Sequence, residues 1–312
     1  MTNGQARVID PILSEVARGY QQNNLAGMLL FPRVPVTQRG GKIITFGKEA
    51  FMQYANMLRA PGQNTRRVQF GYAGSPYALS DYSLEGQVPI ETEQEAQAVP
   101  GIDIAQRTVN GVQAIMANRL EIAQAALATN AANYAASNKT TLSGTAQWSD
   151  LTSGASHPIK DVEVAKEAIR KQTGKRPNVI EIPAAVWAFL KQHPDIIGRL
   201  VYTQREIATP ELVAMLFGVD QVVIGDSVYA NDDGTFVDTW GKDVVLAYTP
   251  TASVAAQGLP SYGYTYQLVG YPQVEEPYQD RNAKSWIYPV DDAVAPVIAG
   301  AESGYVIKGA VA

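Results

Sequence analysis

The chain has 312 residues, 46% hydrophobic and 18% charged, with no cysteine and a net charge of −5. That is enough apolar material for a substantial core in one large domain or two, and too little charge for a disordered chain. Without cysteine, disulfides, thiolate metal sites and cysteine nucleophiles are excluded, which fits assembly in a reducing cytosol, and no run of ~18 apolar residues is present to span a membrane.

The charge is unevenly placed. Residues 1–67 hold nine basic and three acidic side chains, a balance of +6, so residues 68–312 carry −11. Between 81 and 95 stand five acids (Asp81, Glu85, Glu91, Glu93, Glu95) and no Lys or Arg. A basic arm and an acidic strip make complementary surfaces, within one chain or between copies. Taken singly, each charge is also explained as a solvated surface group. The basic residues are too dispersed for a nucleic-acid patch, and the pI is about 5.2.

In chain order, residues 1–20 contain no signal-peptide apolar block. Asp10-Pro11 opens a short helix with Ile12, Leu13, Val16 and Tyr20 on one face, and Gly19 helps end it. Residues 25–36, LAGMLLFPRVPV, read as an extended arm, because Pro32 and Pro35 forbid helix and disfavour a central strand. Its Met28, Leu29, Leu30 and Phe31 must dock on the arm's own domain or on a neighbour. Strands are expected over 42–46, 66–72 and 77–84, with 47–65 irregular. The stretch 40–90 is thus a β-rich excursion with more aromatic residues than an isolated hairpin can bury.

Residues 100–134 predict one long helix. Apolar positions recur at Ile102, Val109, Val112, Met116, Leu120, Leu127 and Tyr134 in steps that keep one face. Gln106, Arg107, Asn110, Gln113, Asn118, Glu121 and Gln124 form the opposite, polar face. Pro100 suits the first turn and Asp103 the positive end of the dipole. Gly111 marks a bend or a close approach. Residues 136–157, rich in Ser, Thr and Gly, read as a loop, and the glycosylation match at Asn138 as chance. Short alternating elements follow. Helices are expected over 158–172, 183–192 and 209–217, the last with a Thr209-Pro210 start and a Gly218 stop. Strands are expected over 178–182, 221–224, 243–248, 264–271, 283–290 and 304–307, with a turn at Asn231-Asp232-Asp233-Gly234.

Chemistry is sparse. His157 and His193 each precede a proline at an element boundary, and nothing spaces them for a metal. The phosphate-loop, zinc-helix and nucleophile-elbow motifs are absent. Two carboxylate pairs, Asp232-Asp233 and Glu275-Glu276, suggest acid/base work, and a solvated role explains them better. No catalytic, cofactor-binding or metal residue is assigned.

The order of elements, with DPILSEVARGYQQNNLAGMLLFPRVPV, GKIITFGKEAF and GKRPNVIEIPAAVWAFLKQHPDIIGRL, resembles the major capsid proteins of tailed bacteriophages, the Hong Kong 97-type fold. The resemblance covers roughly residues 8–308 and rests on packing patterns in a fixed order. It implies an α+β fold with an N-terminal arm (1–40), an extended β-hairpin loop over a neighbouring subunit (41–95) and a peripheral domain (96–177) with a spine helix. An axial domain (178–255) and return strands of the peripheral domain (256–312) complete it.

The implied function is self-assembly, as hexamers and pentamers, into an icosahedral shell around double-stranded DNA, bound without sequence specificity and with no membrane. The implied localisation is the virion capsid, assembled in the host bacterial cytoplasm. With the arm beginning within ten residues of Met1, a separate scaffolding protein is expected, with a portal and decoration proteins as further partners and no cofactor. Candidate inter-subunit contacts are Arg66, Arg67, Glu91, Glu93, Glu95, Phe31, Phe70 and Tyr72. The alternatives are a hydrolytic enzyme using Glu275 or Asp233, an encapsulin-like shell, or another virion component such as a tube or decoration protein.

Overall fold

The computed structural model describes residues 25–42, 61–62, 64, 76–97, 103–152, 154–200, 208–250 and 261–312. The helix expected from Asp10, all but Lys42 of the strand expected over 42–46, the strand expected over 66–72, and the helix start expected at Pro100 lie outside them. Two sheets share one long helix. In the first, β1 (Arg33–Val36) runs parallel to β11 (Gly263–Leu268), with Val34 opposite Tyr266. β11 pairs antiparallel with β14 (Ser285–Ile298). β14 also takes β4 (Ser80–Pro89) along ten residues, together with β12 (Gln273–Val274) and β13 (Tyr278–Asp280). The strand expected over 283–290 therefore runs on to Ile298, because β4 holds its first ten residues and β11 its last. Ser80–Pro89, expected within the extended loop, belongs instead to this sheet.

The second sheet has the order β5 (Lys139–Thr141), β15 (Gly304–Lys308), β10 (Val244–Ala247), β6 (Val179–Pro183) and β7 (Gln221–Gly225). Side chains alternate across β6. Ile180 and Ile182 enter a core with Val162, Ile169, Leu190 and Phe217. These come from α4 (Pro158–Thr173), α5 (Ala184–Leu190) and α7 (Pro210–Phe217). α7 starts and stops where its sequence signals place it, with Thr209 as N-cap and left-handed Gly218 closing it. Val179 enters the opposite core, with Ala125, Ala128, Trp240 and Val245.

Two expectations change here. The loop expected over 136–157 contains β5, pinned by parallel pairing to β15, and the fully buried Trp148. The boundary expected at 255–256 is not the one the sheets draw, since the late strand Gly304–Lys308 lies between β5 and β10.

The spine, α3 (Ile104–Thr129), has 26 residues and spans ~39 Å. Asp103 accepts from the Gln106 N–H at 3.0 Å and caps it. The helix ends at Asn130, short of the expected Tyr134, because Asn130 turns extended and caps a following 3-10 turn. Val109 and Val112 pack on Val88, Tyr288 and Val290 of the first sheet, while Ala125 and Ala128 pack against the second. Gly111 is exposed, with nothing within 4 Å of where a Cβ would stand, so it marks no close approach. Gly111→Ala is expected to stabilise the subunit by about 1 kcal/mol. The check is a higher urea midpoint at unchanged slope; a lower midpoint would show that the spine needs glycine there.

Candidate arm anchor and contact surfaces

The arm meets the spine at a buried carboxylate. α1 (Gly27–Leu30) is a single helical turn, and its free N-terminal amides point at Glu121 of α3. Glu121 Oε1 accepts from Ala26 N at 2.9 Å and from Gly27 N at 3.0 Å, and Oε2 accepts from Gly27 N at 2.9 Å. Trp240 Nε1 donates to Oε1 at 2.7 Å. Glu121 therefore acts as a cap supplied by another element, through charge-assisted bonds. Burial pushes its carboxyl up, and the bonds from Trp240, Gly27 and Ala26 pull it back.

One turn along, Gln124 Nε2 donates to Thr265 Oγ1 at 2.8 Å, and that hydroxyl donates to the Phe31 carbonyl at 3.0 Å. Gly27 is required by the close approach, since a Cβ would stand 2.2 Å from Gln124 Oε1 and 2.6 Å from Glu121 Oε2. The chain then enters β1 at the sheet edge, where Pro35 is tolerated.

The spine's polar face is thus not all solvated: Gln113, Glu121 and Gln124 are buried. Phe31, expected between subunits, is fully buried in its own chain, with its ring 5.3 Å from that of Tyr262. It presents no surface to a neighbour. The arm's apolar residues dock at home because the spine and Trp240 offer a matched polar cap beside an apolar seat.

Past the arm, β2 (Gly40–Lys42) pairs antiparallel with β3 (Pro76–Ala78), Gly41 opposite Tyr77. The pairing sets Lys42 opposite Pro76. Tyr77 stacks on Tyr266 at 4.2 Å, and Arg39 forms an exposed ion pair with Asp81. One basic–acidic contact therefore closes within the chain, with the modest strength of a surface pair.

Arg66, Arg67, Phe70 and Tyr72 lie outside the described residues. Glu91, Glu93 and Glu95 share α2 (Ile90–Gln97), with Glu91 and Glu95 exposed and Glu93 half-buried. None of the three makes an ion pair with another described residue. Sequence patterns did not single out the exposed apolar side chains Met215 (78% exposed) and Phe236 (77%). Phe236 belongs to the hairpin of β8 (Val228–Ala230) and β9 (Phe236–Asp238), which turns at the expected 231–234.

The residues considered for chemistry have structural partners. His193 is buried: its Nδ1 accepts from Asp195 N at 3.2 Å and its Nε2 lies 3.1 Å from Ser156 Oγ, while burial lowers its pKa. His157 lies 3.3 Å from Asp195. Asp233 accepts from Thr235 N and Oγ1 inside the turn. Asn138 is buried and donates to the Gly304 carbonyl at 2.9 Å, which leaves no room for a glycan. Among the described residues, no three His, Cys, Asp or Glu side chains gather as metal ligands.

No protein-family model matches the chain. The major capsid protein of Burkholderia phage BcepMu is 34% identical over 306 residues, covering 97% of each protein. The chain belongs to the phage major capsid proteins. A phage-related protein of Bordetella bronchiseptica RB50, known from a crystal structure, is 47% identical, with a TM-score of 0.83 over 98% of both chains. The capsid structure of Cyanophage P-SCSP1u superposes with a TM-score of 0.56 at 11% identity, over 93% of this chain and 89% of that one. At that identity the likeness concerns the fold, a mixed α+β architecture found in phage capsids. This capsid protein is a structural component of the virion shell, built by many copies, and not an enzyme.

Proposed function

We propose that this capsid protein forms, as hexamers and pentamers, an icosahedral shell around the double-stranded DNA of a tailed phage, on the Hong Kong 97-type plan. The observation that supports this reading is the strand pairing of Gly41 with Tyr77, which sets Lys42 opposite Pro76 and so brings the two ends of the sequence 43–75 together. That segment carries Lys48, Arg59, Arg66 and Arg67 against one acid, Glu49, together with Phe46, Phe51, Tyr54, Phe70 and Tyr72. Lying on a neighbouring copy would cover those aromatic residues and bring the arginines toward the acids of α2. Phe236 and Met215 are further apolar contacts of the same kind. A net-negative subunit does not seize phosphates, so DNA bound without sequence specificity can slide during packaging. A scaffolding protein, a portal and decoration proteins are the partners of this reading, with assembly in the host bacterial cytoplasm.

Negative-stain microscopy of the protein produced with its head-assembly partners should show closed shells. Small particles under every condition would overturn the reading. Arg66→Glu with Arg67→Glu should reduce shell yield at least about tenfold and leave subunit stability within ~0.5 kcal/mol, as for surface changes. Unchanged yield would remove the charge pairing from the account.

A further inference from the structure

A second carboxylate lies beneath the arm anchor. Glu181, in the middle of β6, is fully buried, and neither of its oxygens has a hydrogen-bond partner among the described residues. It shares the face of Val179, toward the spine and Trp240, and opposes Val245 on β10 and Val223 on β7. A Cβ on Gly225 would stand 2.4 Å from Glu181 Oε1 and 2.6 Å from Trp240 Cδ1. The acid therefore sits beside the indole that donates to Glu121.

The groups acting on Glu181 are named by element. Glu121 comes from the spine and Asp243 from the segment before β10, and both disfavour its charge. Tyr134, after the spine, is a phenol held neutral by burial. Lys308 of β15 is already committed, to Asp243 and to the Thr129 carbonyl. β7 contributes Val223 and Gly225, which bear no charge.

Two buried carboxyl groups without a cation between them do not readily ionise together. Three N–H groups, of Ala26, Gly27 and Trp240, favour the anion of Glu121, and none favours that of Glu181. We propose that the arm anchor is a proton-gated latch: neutral Glu181 lets anionic Glu121 hold Ala26 and Gly27, and ionised Glu181 sets a second negative charge beside Glu121 and loosens the arm.

The direction with pH follows. Burial, then Glu121 and Asp243, raise the Glu181 carboxyl well above its ordinary value of 4.5. A folded state that keeps a proton the unfolded chain has lost becomes less stable as pH rises. The loss begins near the ordinary carboxylate value and is complete above the raised folded value. The latch is firm where Glu121 is ionised and Glu181 still holds its proton, and it weakens as pH rises through the raised value of Glu181.

Hydrogen-exchange mass spectrometry on the full-length unassembled protein, corrected for intrinsic rates, tests this. In the wild type, protection of peptides spanning residues 25–36 should fall about tenfold or more between pH 5 and pH 8, a loss corresponding to one unit of pKa or more. Peptides from helix Pro158–Thr173 should hold. Glu181→Gln should keep the arm protected across the range, and Glu121→Gln should leave it weakly protected at every pH. The proposal fails if Glu181→Gln retains the wild-type pH dependence, or if Pro158–Thr173 loses protection in step with the arm. Should Glu181→Gln not fold, Glu181→Met takes its place. Flat wild-type protection from pH 5 to pH 8 overturns the latch without any variant.

Discussion

Glu121→Ala is expected to destabilise the unassembled subunit by about 3–5 kcal/mol, because it leaves buried donors unpaired at about 1–3 kcal/mol each. The donors are the amides of Ala26 and Gly27 and the indole of Trp240. Removing a buried carboxylate also recovers its desolvation cost, which holds the loss below the full sum. Glu121→Gln keeps the shape and one acceptor oxygen, so its cost should be clearly smaller. Urea denaturation of the three proteins checks the order. A loss under 1 kcal/mol for Glu121→Ala would mean that the arm is not fastened by this carboxylate.

Phe31→Ala should cost a further large amount, about 3–5 kcal/mol, as for other fully buried aromatic side chains. The ring sits on Tyr262 in the core that joins arm, spine and second sheet. The readout again is the stability of isolated subunits. Were Phe31 a contact between subunits, isolated subunits would melt unchanged and only assembly would suffer. The two substitutions act on one docked segment. Their combined cost should therefore fall short of the sum, because an arm already released by one has little left to lose by the other.

Much of the fold was legible where the signal is local. Thr209-Pro210 and Gly218 bound α7 because capping and left-handed glycine are short-range effects. Gly174 ends α4 in the same way. The spine was legible from its period, but Asp103, expected inside a helix begun at Pro100, is instead its N-cap. What stayed hidden depends on partners distant in sequence. The three residues of β5 form a strand only because β15 lies beside them. The long reach of β14 depends on β4 on one side and β11 on the other. Glu121 read as a solvated helix residue, since nothing in 100–134 reveals that residues 26 and 27 will cover it. Glu181 had a faint signal, a lone acid within the apolar run of Val179–Pro183. The candidate contact residues were named from charge and aromatic content, and of the four that are described, Phe31, Glu91, Glu93 and Glu95, only Phe31 is buried in its own chain.

The central claim is that each subunit keeps its arm at home and leaves residues 43–75 for its neighbours. A cryo-electron microscopy map of the assembled shell, fine enough to trace the chain, tests it most directly. The predicted result is residues 25–36 seated under their own spine in every non-equivalent copy, Glu121 facing the amides of Ala26 and Gly27, and residues 43–75 lying across an adjoining subunit. An arm seated on a neighbour's spine, or an excursion folded back on its own body, would contradict the account.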